Sequence, residues 1–149
     1  MASNAPAATV LVRFIVGVVF VSEGFQKFLF ADEVGAGRFA KIPIANPDVV
    51  APLVGVFEIV CGALVLFGLL TRVAAVPLIA IMLTALFTTK LPILLGHEFL
   101  GFSLRKVSYY GVWGFLHESR TDLAMLFSSI FLLIVGAGRY SLDAIVRRK

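Results

Sequence analysis

The apolar run from Val49 to Arg72 constrains the fold more than any other part of the sequence. The hydrocarbon core of a bilayer is about 30 Å thick and a helix rises about 1.5 Å per residue, so about 20 apolar residues cross it. The run is long enough, and Glu58 lies near its middle. An ionisable side chain at that depth costs roughly 2.5–3.5 kcal/mol on insertion scales. We therefore predict a transmembrane helix in which Glu58 faces the protein interior and has a partner.

The composition agrees with a membrane protein. Of the 149 residues, 60% are hydrophobic and 15% are charged. The mean hydropathy is +1.00, which is too high for a soluble domain of this length. The net charge of +4 suits anionic headgroups better than nucleic acid, so membrane lipid is the predicted partner and nucleic acid is not. Because Cys61 is the single cysteine, neither an internal disulfide nor a cysteine-based metal site can form within one chain.

Hydropathy divides the chain into four apolar stretches, which we predict to form one membrane domain over residues 1–149. The predicted spans are approximately 9–30, 49–70, 73–95 and 122–140, with Asp122 capping the last. Aromatic and charged residues alternate from Gly96 to Thr121, and tyrosine and tryptophan prefer the headgroup level. This segment is expected to lie along the membrane surface or to form a lid over a cavity. The predicted fold class is an all-α, four-transmembrane-helix bundle with an aromatic interfacial segment between helices 3 and 4.

The first two spans carry glycines at matching intervals. Gly17 and Gly24 are seven residues apart on the first span, and Gly55 and Gly62 have the same spacing around Glu58 on the second. Glycines at such intervals let two helices approach closely, so these two faces are expected to pack together.

Basic residues predict the orientation. Four spans would place both termini and the turn at Thr71-Arg72 on one side of the membrane. That side collects six basic residues in very short segments: Arg13, Arg72, Arg139, Arg147, Arg148 and Lys149. Because short segments rich in lysine and arginine remain in the cytoplasm, both termini are predicted to be cytoplasmic. The first apolar run is expected to be retained as a span, since no small-residue cleavage pattern follows it.

Glycines and single charges recur in a recognisable order along the chain. The motifs are Arg13-x3-Gly17-x2-Phe20-x3-Gly24-x2-Lys27, then Gly55-x2-Glu58-x3-Gly62 with Gly68-Leu69-x-Thr71-Arg72, and finally Gly136-x-Gly138-Arg139-x-Ser141-x-Asp143. This order resembles the DoxX family of small bacterial and archaeal membrane proteins over nearly the whole chain, although Ala137 stands where the family often has proline. The resemblance implies a four-helix bundle in the bacterial cell (inner) membrane. The better-known relatives look like membrane partners of redox systems linked to thiosulfate oxidation and quinone reduction.

Polar residues in the outer halves of the spans form a candidate ligand-binding pocket. They are Glu23, Gln26, Lys27, Glu58, Thr84, Thr88 and Lys90, with Tyr109 and Trp113 in the aromatic segment above them. In one interpretation Lys27 and Glu58 form an internal ion pair that fixes helix packing, because charges inside a membrane must pair. In the other, the pocket binds a small polar head such as a quinone ring, which needs only an apolar cleft and a few donors.

A second polar group is expected at the cytoplasmic ends of the helices, and it comprises Arg13, Arg72, Arg139 and Asp143. Its arginines are predicted to reach out to lipid headgroups, with one Arg–Asp pair, in preference to binding a substrate. A docking surface for a soluble partner is the alternative.

No metal site is predicted. His97 and His117 are twenty residues apart, and the sequence contains no pair of histidines at i and i+4. Cys61 is interpreted as a small packing residue, because a buried thiol in apolar surroundings is inert.

Two classes of function follow from these features. The first is a redox-linked membrane subunit or anchor that interacts with quinone or a sulfur compound and with a soluble or membrane partner oxidoreductase, without a covalent cofactor. The second is a non-enzymatic small-solute transporter or membrane scaffold, and either could form a homo-oligomer. Because no set of nucleophile, base and orienting residue is visible, catalysis by the chain alone is not expected.

Overall fold

The chain folds into helices that pack side by side. The computed structural model describes residues 6–146, where helices and turns are accompanied by one isolated β-bridge between Phe99 and Phe102. The helices are α1 (Thr9–Leu29), α2 (Ala36–Phe39), α3 (Pro47–Phe67), α4 (Thr71–Ala85), α5 (Leu91–Leu95), α6 (Val112–Val135) and α7 (Leu142–Val146), and a π-helical turn (Leu86–Lys90) joins α4 to α5. The predicted all-helical class is confirmed.

Three helical stretches among the described residues are long and apolar enough to cross a membrane. They are Thr9–Leu29, Pro47–Phe67 and the continuous stretch Thr71–Leu95. Their bounds agree with the first three predicted spans to within three residues. The apolar runs therefore identified these helices correctly.

The fourth predicted span, 122–140, is placed differently. Helix α6 runs from Val112 to Val135, so it begins ten residues earlier and ends five residues earlier than predicted. It ends where Gly136 adopts a φ of 86°, a conformation that glycine reaches without steric cost. The prediction that Asp122 caps this helix is wrong, because Gly111 is the N-cap and Asp122 lies in the helix interior. The error arose because charged residues in the first half of α6 interrupt the apolar run.

The core lies where α1, α3, α4 and α6 meet. The side chains of Val16, Phe20, Val65, Leu78 and Leu132 are all at most 1% exposed. Helix α1 packs mainly on α3, and α6 packs mainly on α4. The bundle therefore consists of two helix pairs, which are joined through contacts of α3 with α4 and of α1 with α6.

Glycines set the distance between α1 and α3, as predicted. A Cβ added at Gly17 would lie 2.8 Å from the carbonyl oxygen of Gly62, and one added at Gly24 would lie 2.7 Å from that of Gly55. Both distances are too short for a real side chain, so the two backbones approach as closely as glycine allows. Gly17 of α1 lies opposite Gly62 of α3, and the later Gly24 lies opposite the earlier Gly55, so the two helices run antiparallel.

A π-helical turn interrupts the third membrane-crossing stretch. The amide of Leu91 donates to the carbonyl of Leu86, five residues back, instead of four. Pro92 follows at once, and proline both lacks an amide hydrogen and crowds the carbonyl of the preceding turn. The wider turn accommodates this proline without ending the helix.

The segment Gly96–Thr121 is not one structural unit. Residues 96–111 form turns and irregular chain, whereas the remainder forms the first turns of α6. Phe87 of the π-helical turn contacts the rings of Phe99 and Phe102 edge to face, with centroids 6.1 and 5.9 Å apart. The loop is therefore attached to the end of the third membrane-crossing stretch.

Candidate functional site

A buried ion pair joins α1 to α3. The Nζ atom of Lys27 lies 2.6 Å from Oε2 of Glu58, and the two side chains are only 10% and 3% exposed. The pairing of these two residues, predicted as one alternative for this site, is confirmed. Within residues 6–146, Glu23 and Arg38 also interact electrostatically with Glu58. The pair is thus the buried part of a small charge network that extends toward α2.

A second ion pair joins the π-helical turn to α6. The Nζ atom of Lys90 lies 3.4 Å from Oδ2 of Asp122, and the lysine side chain is 8% exposed. Each of the two helix pairs of the bundle therefore contains its own lysine–carboxylate pair, of which the second is less buried because the Asp122 side chain is 23% exposed. The charge of Asp122 inside α6 is compensated in this way, as a charge in an apolar helix requires.

The hydroxyl groups predicted to line the pocket bond within their own helix. Thr84 donates to the carbonyl of Ala80 at 2.9 Å, and Thr88 donates to the carbonyl of Thr84 at 2.8 Å. Gln26 donates to the hydroxyl of Ser22. The two threonine bonds go to carbonyl groups four residues back, a pattern that often bends a helix, and all three bonds direct the polar groups along the helices.

The aromatic residues of the predicted pocket lie at the surface of the described structure. Trp113 is 77% exposed, and Tyr109, which is also exposed, stacks obliquely on His117 with centroids 5.8 Å apart. Glu23 is exposed as well, whereas Glu58 is buried. The candidate residues thus divide among the two ion pairs, the surface and polar groups such as the buried Thr88 that bond within their own helix. Ligand binding by any of them stays a prediction.

No group of three or more histidine, cysteine or acidic side chains that could hold a metal ion is found within residues 6–146. His97 contacts the carbonyl oxygen of Glu98 through Nδ1, at 2.8 Å. Cys61 is buried in the core together with Val65 and Phe20.

At the opposite end of α1, Arg13 forms the most extensive polar contact of the bundle. Its guanidinium donates to the carbonyl groups of Val65 and Leu66 in the last turn of α3, at 3.1 and 3.0 Å. It also donates to Ala137, at 2.8 Å, and to Tyr140 in the chain that follows α6. The carbonyl groups of a last helical turn have no partner within their helix, and a cation there also interacts favourably with the helix dipole.

The prediction that Arg13 reaches out to lipid headgroups is wrong, because its side chain is buried and bonded to backbone. Arg72 is exposed and donates to the carbonyl of Ile134, at 2.9 Å, near the end of α6. Asp143 accepts a hydrogen bond from the amide of Leu70 at 3.0 Å. These residues do gather at one end, where they cap helices α3 and α6 and the turn between α3 and α4.

The roles of two charged residues escaped the sequence analysis. Arg38 follows a polar loop and is exposed, and the sequence did not indicate that α2 packs on α3 and brings this arginine into electrostatic interaction with Glu58. Asp122 was assigned to a cap because it precedes an apolar run. The unpaired Lys90 was the available signal, since a lysine in an apolar stretch requires a carboxylate from another helix.

Comparison with known proteins identifies the family. The DoxX sequence profile matches residues 8–91, which is more than half of the chain. This chain belongs to the DoxX family. The match includes the Lys27–Glu58 pair and Arg13, whereas Ala137 and Tyr140, which accept hydrogen bonds from Arg13, lie beyond the matched residues.

Two relatives align with almost the whole of this DoxX chain. "Uncharacterized membrane protein Rv3486" of Mycobacterium tuberculosis (strain ATCC 25618 / H37Rv) is 50% identical over 141 residues, which cover 95% of this chain and 82% of that protein. "Putative oxidoreductase CatD" of Bacillus subtilis (strain 168) is 28% identical over 138 residues, which cover 93% and 86%. No solved structure matches at a significant level.

The contacts of Arg13 predict that the shape of its guanidinium group contributes to the stability of the protein as much as its charge does. Arg13→Lys keeps the charge, but one ammonium group cannot reach carbonyl groups on both α3 and the chain after α6. Since hydrogen bonds to charged groups contribute about 1.5–3 kcal/mol each, we expect a loss of at least about 2 kcal/mol of stability. Thermal unfolding in mild detergent, followed by circular dichroism, measures the effect. Arg139→Lys, at an exposed arginine, is the control. Equal melting temperatures for the two variants would contradict the capping role.

Proposed function

We propose that this DoxX protein is a redox-linked membrane subunit that binds the head group of a quinone at the Lys27–Glu58 pair and works with a partner oxidoreductase. The observation that carries the proposal is the burial and the hydrogen-bonding capacity of the Lys27 ammonium group. It is 10% exposed and engages one carboxylate oxygen, although an ammonium group has three hydrogen-bond donors. Within residues 6–146 no other polar contact of this ammonium group is found, so donors remain for carbonyl oxygens of a ligand that enters between the helices.

The surroundings suit an amphiphilic ligand. Phe25, Phe28 and Leu29 near the pair are exposed on α1, so an isoprenoid tail would remain in contact with apolar side chains and lipid. Glu58 provides a carboxylate next to the lysine, which is a reasonable proton donor or acceptor for a quinone that is reduced or oxidised. A sulfur compound with an anionic group would use the same lysine. The name of CatD, which includes the word oxidoreductase, supports a redox role for relatives of this chain.

A non-enzymatic membrane scaffold is the second candidate. It is favoured by the near-complete burial of Glu58 and by the close backbone contacts at Gly24 and Gly55, which leave little space at the pair. In this case both ion pairs serve only to hold the helices together. A small-solute transporter would require the same pairs to open.

We further propose that α6 is a fourth membrane span and that both termini are cytoplasmic in the bacterial cell (inner) membrane. A helix of 24 residues is about 36 Å long, which is sufficient to cross the bilayer. Phe127, Phe131 and Ile134 are exposed along one stripe of α6, as expected for a face in contact with lipid, and the charge of Asp122 is paired. The orientation follows from the basic segments, of which Arg147, Arg148 and Lys149 lie outside the described residues.

Cysteine labelling from outside the cell tests this topology. In a Cys61→Ala background, a cysteine in place of Asp32 or Ser108 should react with a membrane-impermeant maleimide, and one in place of Leu142, an exposed neighbour of Ser141, should react only after the membrane is opened. The reverse pattern would reject the proposed orientation. Labelling of all three positions from outside would reject the fourth span.

Calorimetric titration with a short-chain quinone tests the proposed site. Lys27→Met removes the donors, so we expect roughly a tenfold or larger loss of affinity, because a hydrogen bond from a charged group contributes about 1.5–3 kcal/mol. The matched control is Lys90→Met, which breaks the other buried ion pair and should leave affinity unchanged. If the wild type does not bind quinone, or if both variants lose affinity equally, the quinone site is rejected and the scaffold interpretation is preferred.

A further inference from the structure

An open groove of about 560 Å³ lies at the Arg13 end of the bundle, remote from the Lys27–Glu58 pair. It is bounded by the end of α3 on one side and by α7 and the chain before it on the other. The lining residues are Arg13, Leu66, Phe67, Arg139, Tyr140, Ser141, Leu142 and Ile145. No carboxylate belongs to this lining within the described part of the chain.

The groove is held open by fixed backbone contacts. The amide of Asp143 donates to the carbonyl of Gly68 at 3.0 Å, while its side chain accepts from the amide of Leu70. Ser141 donates to the carbonyl of Gly138 at 2.7 Å and accepts from the amide of Ala144 at the start of α7. These hydrogen bonds fix helix α7 to the turn between α3 and α4, so the groove has a defined shape.

The polar side of the groove carries two cations. A guanidinium has five N–H groups, and the four bonds of Arg13 to backbone carbonyls leave one of its Nη2 hydrogens without a partner among the described residues. Arg139 is exposed, and no hydrogen bond or ion pair of its side chain is found within residues 6–146. Among the residues that the structure describes, Asp143 is the one acidic residue that interacts electrostatically with Arg13. Two arginines at a groove favour a phosphate or carboxylate.

The other side of the groove is apolar and exposed. Phe67 is 61% exposed at the end of α3, and Ile145 is 59% exposed on α7. Tyr140, which is also exposed, has the amphipathic character of residues found at the headgroup level. Since α3 is one of the helices able to cross a membrane, its end lies where the hydrocarbon core meets the headgroups.

We propose that this groove binds one anionic phospholipid of the adjacent leaflet. Its phosphate accepts hydrogen bonds from the exposed Arg139, the buried guanidinium of Arg13 adds positive charge at the base of the groove, and its acyl chains pass Phe67 and Ile145 into the bilayer. The two arginines favour an anionic lipid over a zwitterionic one. The apolar side of the groove favours a lipid over free phosphate, because it can contact acyl chains. The proposal does not depend on quinone binding at the other end of α1.

Native mass spectrometry of the purified protein tests this site, with phosphatidylglycerol and phosphatidylcholine of identical acyl chains added in turn. The wild type should retain phosphatidylglycerol preferentially. Arg139→Gln should lower its affinity about fivefold, which corresponds to about 1 kcal/mol for one arginine near an anionic headgroup. Arg105→Gln, at an exposed arginine of the loop before α6, should leave the affinity unchanged. Arg147, Arg148 and Lys149 stay in every variant, so their attraction for anionic lipid cancels in the comparison.

Ile145→Glu provides a second test, because it places a negative charge at the apolar wall on an exposed position where folding is not at risk. It should also weaken phosphatidylglycerol binding. Equal retention of the two lipids by the wild type, or equal affinity of Arg139→Gln and Arg105→Gln, would overturn the proposal. The proposal would also be overturned if inorganic phosphate raised the melting temperature of the protein as much as phosphatidylglycerol does. A dimer that forms on delipidation and is lost in Ile145→Glu would assign the groove to a second copy of the chain.

Discussion

A charge in the hydrocarbon region must be neutralised within reach of its own side chain, and the contact between α1 and α3 is organised by this requirement. Lys27 and Glu58 can meet at 2.6 Å because Gly24 and Gly55 bring the two backbones together at the same level. The close contact at the glycines and the ion pair therefore depend on each other. Without the close approach the charges would be separated, and without the pair the helix contact would carry an unpaired ion.

The two ends of α1 meet the same requirement by different means. At one end Lys27 pairs with a carboxylate, whereas at the other Arg13 donates to carbonyl groups at the end of α3 and beyond α6. The second arrangement uses backbone carbonyl groups at a helix end and in the chain after α6. It also draws the chain after α6 back across the bundle, which creates the groove next to Arg139. Helix packing and both proposed binding sites thus follow from where α1 carries its two basic residues.

Much of the fold could be predicted from the sequence, because apolar length and glycine spacing can be read from residues that are close together in the chain. Apolar length identified three membrane-crossing stretches, and the spacing of Gly17, Gly24, Gly55 and Gly62 identified the α1–α3 contact. The start of α6 was missed because its charged first half breaks the apolar pattern, although helix formation needs no such pattern. The partner of Lys90 and the role of Arg13 depend on which helix lies opposite, and hydropathy contains no information about that.

The central claim is that Lys27 and Glu58 act as one energetic unit, and a double-mutant cycle measures this directly. Unfolding in mild detergent should be recorded for wild type, Lys27→Met, Glu58→Gln and the double variant. Each single change strands a buried polar or charged partner, which costs about 3–5 kcal/mol, whereas the double change removes both charges. The double variant should therefore be clearly more stable than the sum of the single effects predicts. Strictly additive losses of stability would contradict the account.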